Sequence, residues 1–206
     1  MTKTLLPAVL AMAAVVVASN ILVQFLLLDG LLTWGAFTYP LAFLVTDLTN
    51  RLLGRDAARR VVLAGFAVGV ACSLVLSQIE GPYGPLTSLR IAVGSGIAFL
   101  VAQLVDVAVF SRIRSATWWH APIASSMIGS AIDTALFFTI AFSAAFIWLD
   151  PSQPNAWARD AAPLLTFGAD APLWVSLALA DWGVKIVMAL VALIPFGVLT
   201  RRAIKI

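Results

Sequence analysis

Two hundred and six residues carry 13 lysines and arginines against 10 acidic residues, a net charge of +3, yet only 11% of positions are charged and 62% are hydrophobic. A mean hydropathy of +1.01 falls outside the soluble globular range and points to a membrane protein. With one cysteine (Cys72) and one histidine (His120), an intrachain disulfide and a zinc or iron ligand cluster are excluded.

A helix that crosses a bilayer takes about 20 apolar residues, so this length holds about six spans with short loops. They form one bundle over 1–206, with no separate soluble domain. The first span, 5–28, opens on LLPAVLAMAAVVVAS, which has the look of a signal peptide. Its apolar run continues through ILVQFLLL, beyond a signal-peptide core, so the reading is a retained helix with Asn20 and Gln24 one turn apart. After the turn Asp29-Gly30, the second span, 32–53, is unusually polar: Thr38, Tyr39, Thr46, Asp47, Thr49, Asn50 and Arg51. Pro40 within it frees a backbone carbonyl that lipid cannot satisfy, so this face should meet protein or a cavity.

The basic turn LGRDAARR leads into the third span, 57–79, where Gly65 and Gly69 have the spacing of close helix approach. EGPYGPLTS separates it from the fourth span, 89–111, with Gln103 and Asp106 on one face. SRIRSATWWH follows, and its His120 reads as an interfacial residue at the start of the fifth span, 122–149. There Ser126, Gly129, Ser130 and Asp133 form a stripe at helical spacing. A polar connection, 150–172, is either a lid or a passive connector. The sixth span, 173–200, holds Asp181, Trp182 and Lys185. Membrane strands are not expected, because the runs are too long and do not alternate.

Basic residues set the orientation. Lys3, Arg51, Arg55, Arg59, Arg60, Arg112, Arg114, Arg201, Arg202 and Lys205 fall on one side of six spans, and only Arg90 and Arg159 on the other. Both termini are therefore read as cytoplasmic, and the basic balance needs no nucleic acid. Trp34, Trp118, Trp119, Trp148 and Trp174 sit near span ends, where aromatic belts are ordinary. Trp182 alone is placed to stack on a ligand.

Each ionisable side chain near a bilayer centre costs about 2.5–3.5 kcal/mol even on the lenient insertion scale. This chain has Asp47, Asp106, Asp133, Asp181 and Lys185. Asp181 with Lys185, and Asp47 with Arg51, are four apart and can pair on one helix face. Asp106 and Asp133 have no cation nearby in sequence. A ligand bearing N–H donors, or a coupling proton, would supply the missing partner.

Several segments together resemble the queuosine precursor transporter family, also described as the vitamin uptake transporter family. They are SNILVQ (19–24), TYPLAFLVTDLTNRLLGRDAAR (38–59), AQLVDVAVFSRIR (102–114), SSMIGSAIDTALFFTIAF (125–142) and DWGVKIVMALVALIPF (181–196). The most specific parts are the spacing of Pro40 to Asp47 and the Asp133-Thr134 pair preceded by Ser126 and Ser130. One departure is His120, where the family often carries an arginine. The resemblance implies import of 7-deazaguanine compounds, precursors of a modified tRNA base, across the bacterial inner membrane. It also implies an all-α, six-helix membrane bundle similar to the substrate-binding subunits of energy-coupling factor transporters.

A deazaguanine edge presents N–H donors that a carboxylate accepts in bidentate fashion, and its flat face suits an aromatic ring. The expected substrate contacts are Asp133 and Asp106 for the donor edge, with Asp181 and Lys185 as a supporting pair. Trp182 would stack, Gln103 or Asn20 would reach the carbonyl, and Asp47 and Ser130 complete the set. No metal and no cofactor is expected, and the partners are the solute and the lipid bilayer. A homo-oligomer or an energising subunit stays open, since the chain has no nucleotide-binding loop for ATP coupling. An alternative is uptake of another flat heterocycle or vitamin with an energising partner. An intramembrane enzyme would need a nucleophile with its base, or a metal cluster, at matching spacing, and neither is present.

Overall fold

The computed structural model describes residues 2–81, 84–114, 117–152 and 155–204. The side chains of Lys3, Arg201, Arg202 and Lys205, which the orientation reading counted, lie outside the described set. The protein is all-α in its membrane part. Its helices are α1 (Thr2–Leu22), α2 (Gly35–Thr38), α3 (Leu41–Leu53), α4 (Arg55–Leu76), α5 (Leu89–Ile113), α6 (His120–Phe142) and α7 (Leu173–Ile204). Among the described residues, α1, α4, α5, α6 and α7 are long and apolar enough to cross a bilayer.

The second expected span is broken. Pro40 has no amide hydrogen, so Ala42 and Phe43 bond back to the Tyr39 and Pro40 carbonyls, three residues away, at 3.0 and 3.1 Å. The result is a one-turn α2 and a 13-residue α3 separated at Tyr39-Pro40. Gly54, with φ 92°, ends α3 and starts α4, a left-handed joint that a residue with a Cβ adopts only at a cost.

Two other helices stop short of the expected spans. The first ends at Leu22, because Leu28, Asp29 and Gly30 take positive φ and fold the chain back. That turn pairs β1 (Leu26–Leu27) with β2 (Leu32–Thr33) in a short antiparallel hairpin. The fifth span ends at Phe142, where Ser143 becomes extended and Ala144–Leu149 forms a 3-10 turn. Two further hairpins, β3 (Glu80–Gly81) with β4 (Gly84–Pro85) and β5 (Ala161–Pro163) with β6 (Asp170–Pro172), lie in the other connections at this end of the bundle. The first hairpin replaces the ends of two expected helical spans, 5–28 and 32–53, and the other two lie in expected connections; strands of two or three residues are too short to show alternation.

Cross-connections fasten the two ends. At the hairpin end, Gln24 Nε2 donates to the Leu86 carbonyl and Asn155 Nδ2 to Ser88 Oγ, the N-cap of α5. Arg90, fully buried, donates through Nε and Nη2 to the Ile140 carbonyl and through Nη2 to that of Ser143, closing the C-terminus of α6. At the other end, Arg51 donates to the Arg114 carbonyl at 2.8 Å and Arg114 returns a bond to the Arg51 carbonyl at 2.6 Å.

The main apolar core joins α1, α3, α4 and α5 through Met12, Val16, Ala42, Val61, Val62 and Phe99. Gly65 gives it a close crossing: a Cβ there would stand 2.6 Å from Met12 Cγ and 3.0 Å from Phe99 Cζ. The Gly65/Gly69 spacing thus serves the packing of α4 on α1. The outward faces carry Leu74, Leu190, Ile194 and Val198, all exposed, as a lipid-facing surface requires.

Candidate functional site

Lys185 is the hub of the polar interior. Its ammonium lies 2.7 Å from Asp133 Oδ2 on α6 and 2.5 Å from Asp181 Oδ2, one turn earlier on α7. It also donates to Thr134 Oγ1 at 3.0 Å, and that hydroxyl donates to Asp181 Oδ2 at 2.8 Å. The other Asp133 oxygen accepts the Tyr39 hydroxyl at 3.1 Å. Three donors in tetrahedral array meet three acceptors, so the ammonium is satisfied although its side chain is only 4% exposed. One ammonium against two carboxylates still leaves the group acidic. This arrangement corrects the expectation that Asp133 has no cation: its partner comes from a helix 52 residues away in sequence.

A second polar group lies nearer the opposite end of the bundle. Asp47 on α3 accepts one hydroxyl on each oxygen, from Ser125 at 3.1 Å and Ser126 at 3.2 Å. The Asp47–Arg51 pair read from their spacing is not made; Arg51 turns instead to the Arg114 and Trp118 carbonyls. Asp106 on α5 is completely buried, and among the described residues no donor meets either of its oxygens in hydrogen-bond geometry. Beside it lie the Asp47 carboxyl and the Ser125 hydroxyl, whose shortest contact, 3.1 Å, is to Asp47. Gln103, one turn before Asp106, accepts the Thr46 hydroxyl at 2.6 Å and leaves its Nε2 without a partner.

Two openings meet these groups. A narrow gap of about 10 Å³, the size limit for one water, runs between α3, α6 and α7, lined by Pro40, Asp47, Ser126, Ser130 and Lys185. Asp47 of one polar group and Lys185 of the other both line it. A larger cavity of about 630 Å³, open to the outer surface at a rim of exposed Val70, Leu74, Leu89 and Ile97, lies between α1, α4 and α5, with Asn20, Ser73, Gln78 and Ser88 among apolar neighbours. Tyr39 also lines this cavity while its hydroxyl holds Asp133, and its ring packs edge-on against Phe99. It therefore stands between the roomy apolar cavity and the charged cluster.

The structure thus unites Asp133, Asp181 and Lys185, and separately Asp47, Asp106 and Gln103, with Ser130 lining the gap that Asp47 and Lys185 share. Asn20 does not join the cluster; its amide donates to the Val16 carbonyl at 2.9 Å and it faces the larger cavity. Trp182 lines neither opening, and its indole N–H has no hydrogen-bond partner. Sequence reading passed over the roles of Tyr39, Thr134 and Ser125. Tyr39 carried a usable signal, a phenol beside a mid-span proline, where a helix break aims side chains inward. His120 begins α6 as an exposed residue stacked edge-on with Trp119 at 3.9 Å, in keeping with an interfacial role.

Comparison with known proteins bears on this interior. Residues 33–200 match the vitamin uptake transporter family. The chain is 35% identical over 206 residues to the queuosine precursor transporter of Escherichia coli (strain K12), covering 93% of this chain and 84% of that relative. It is 39% identical over 138 residues to the probable queuosine precursor transporter of Haemophilus influenzae, covering 62% of this chain and 57% of the relative. The match to the Bacillus subtilis protein of the same name is 28% over 140 residues, 57% of this chain and 60% of the relative. No solved structure matches the chain.

Proposed function

Because this chain belongs to the vitamin uptake transporter family, we propose that it imports queuosine precursors, 7-deazaguanine bases of the queuine type, across the bacterial inner membrane. It is a multi-pass membrane transporter and not an enzyme, in line with the names its relatives carry. The observation that carries the reading is the buried Lys185–Asp133–Asp181 cluster in mid-bundle, reached from an apolar cavity past Tyr39. A flat base enters that cavity, its ring against Tyr39 and Phe99 and one polar edge toward Asn20. Rotation of Tyr39 then opens Asp133 to the N–H donors of the base, and Lys185 is left to face its carbonyl. Ser130 and Asp47 line the onward route, with Asp106, and Gln103 one turn before it, packed behind Asp47.

Residues 35–53 act as a sixth, broken span in this reading. About 19 residues at 1.5 Å each cover roughly the hydrocarbon thickness. Six spans place both termini in the cytoplasm, with the Arg51–Arg114 clasp on that side and the hairpins outside. The six-helix bundle similar to substrate-binding subunits of energy-coupling factor transporters belongs to the same proposal. The described residues of the outer segment 144–172 act as a cap in this reading, anchored by its own buried Asn155 and Ala158.

The test uses a strain unable to make the base, supplied with labelled queuine at low concentration. Expression should restore queuosine in tRNA and raise uptake well above empty cells. The isosteric change Asp133→Asn removes a charge-assisted acceptor, a loss of about 1.5–3 kcal/mol, and should lower uptake about 10- to 100-fold at matched membrane abundance. Uptake no better than in empty cells sinks the proposal, and wild-type uptake by the Asp133→Asn variant sinks the site.

A further inference from the structure

Asp47 and Asp106 are 2% and 0% exposed, and α6 packs closely over both. Gly129 makes that approach: a Cβ there would stand 2.7 Å from Phe43 Cε1, 3.3 Å from the Ala102 carbonyl oxygen and 3.3 Å from Asp106 Cβ. Donors are unevenly shared within the pocket. Asp47 takes both serine hydroxyls, and Asp106 takes none while facing the Asp47 carboxyl.

Charged groups on the surrounding elements do not neutralise the pair. On α3, Arg51 is held by the Arg114 and Trp118 carbonyls. The buried face of α4 is Ala58, Val61, Val62, Gly65 and Ser73, without a titratable group. On α5, Arg112 and Arg114 lie beyond the next turn, at the helix end. From α6 comes Asp133, two turns on, and from α7 Lys185, which lines the gap beside Asp47 but is bonded to Asp133 and Asp181. Two facing carboxyls in a dry pocket cannot both be ionised without a cation between them.

We propose that Asp47 and Asp106 form a binding site for one proton, shared between their carboxyls, and that this proton moves with the solute. The proposal rests on the transport reading above and adds what drives it. In the loaded state Asp106 carries the proton and donates it to Asp47, which fills the missing hydrogen bond. On release both become carboxylates and the proton passes to the cytoplasmic water, about 9 Å away along α3 at 1.5 Å per residue. Lys185 links the two events. A bound base draws its ammonium to the base carbonyl and away from the gap, so the pair keeps its proton; when the base leaves, the ammonium returns to the gap beside Asp47, where its charge favours the doubly ionised pair.

The experiment uses the purified full-length chain in liposomes, with queuine as probe. Exchange of labelled for unlabelled queuine is measured first; its absence in the wild type counts against the transport reading and not against this site. An interior-alkaline gradient of one pH unit is then imposed with the membrane potential clamped. One proton per solute drives accumulation toward about 10-fold. Without an imposed gradient, adding queuine should also make the outer medium more alkaline, read by a pH-sensitive dye. Asp106→Asn and Asp47→Asn should lose the response to the gradient, and Asp106→Glu should recover part of it. Normal exchange with the same accumulation with and without the gradient overturns the proposal. So does accumulation that follows only a sodium gradient, or a gradient response that persists in the Asp106→Asn variant. The wild-type dye signal decides the matter if the variants fail to insert.

Discussion

Lys185 shows how a charge is kept inside an apolar bundle. Its three protons find Asp133, Asp181 and Thr134, and the acceptors come from two helices. Breaking such a group from one side costs more than removing both partners, because a lone buried charge remains. Lys185→Met should therefore lower stability by about 3–5 kcal/mol, read as the shift of thermal unfolding in detergent. The double change Lys185→Met with Asp133→Asn should cost clearly less than the sum of the single changes. Additive costs would show that the two side chains are not coupled. The single-residue facts legible in sequence were the polar identities and their helix faces. The partner of Asp133 was not legible, since a contact between α6 and α7 has no signature in local spacing.

At the scale of elements, small residues decide where helices meet. Gly129 brings α6 against α5 and α3, and Gly65 brings α4 against α1. Gly129→Val would push into Phe43 and the Ala102 carbonyl, and backbone gives way less easily than a flexible side chain. The expected cost is about 1–3 kcal/mol, with a loss of transport greater than that for Gly65→Ala, where Met12 can turn aside. Equal transport loss in the two, at matched abundance, would contradict this ranking. Long helices were readable because hydrophobicity over about 20 residues leaves little else. Their ends were less so: Leu22 and Phe142 close helices whose apolar runs go on for several residues, and there the turn geometry of 28–30 and the Arg90 bonds override composition. Pro40 showed in sequence only as a freed carbonyl within a continuous second span, and the structure adds that the span breaks there and presents Tyr39 to Asp133.

At the scale of the whole molecule, the interior is divided by depth. The charged cluster lies mid-bundle, the carboxyl pair sits toward the Arg51–Arg114 end, and the roomy cavity opens on a third side. With Cys72 replaced, single cysteines at Asp29 and Arg114 should report the orientation. A maleimide that cannot cross membranes should label position 29 in intact spheroplasts and position 114 only after permeabilisation. The reverse pattern would turn the proposed topology upside down. Arg90 carries a consequence for how this arrangement is made. Its guanidinium is fully buried, and the carbonyls that hold it belong to Ile140 and Ser143, about 50 residues later in the chain. During synthesis those carbonyls emerge from the ribosome well after α5 does, and until then the guanidinium, in the first turn of α5, reaches water at the outer interface. Its burial is therefore a joint event for α5 and α6, completed only when α6 packs against α5.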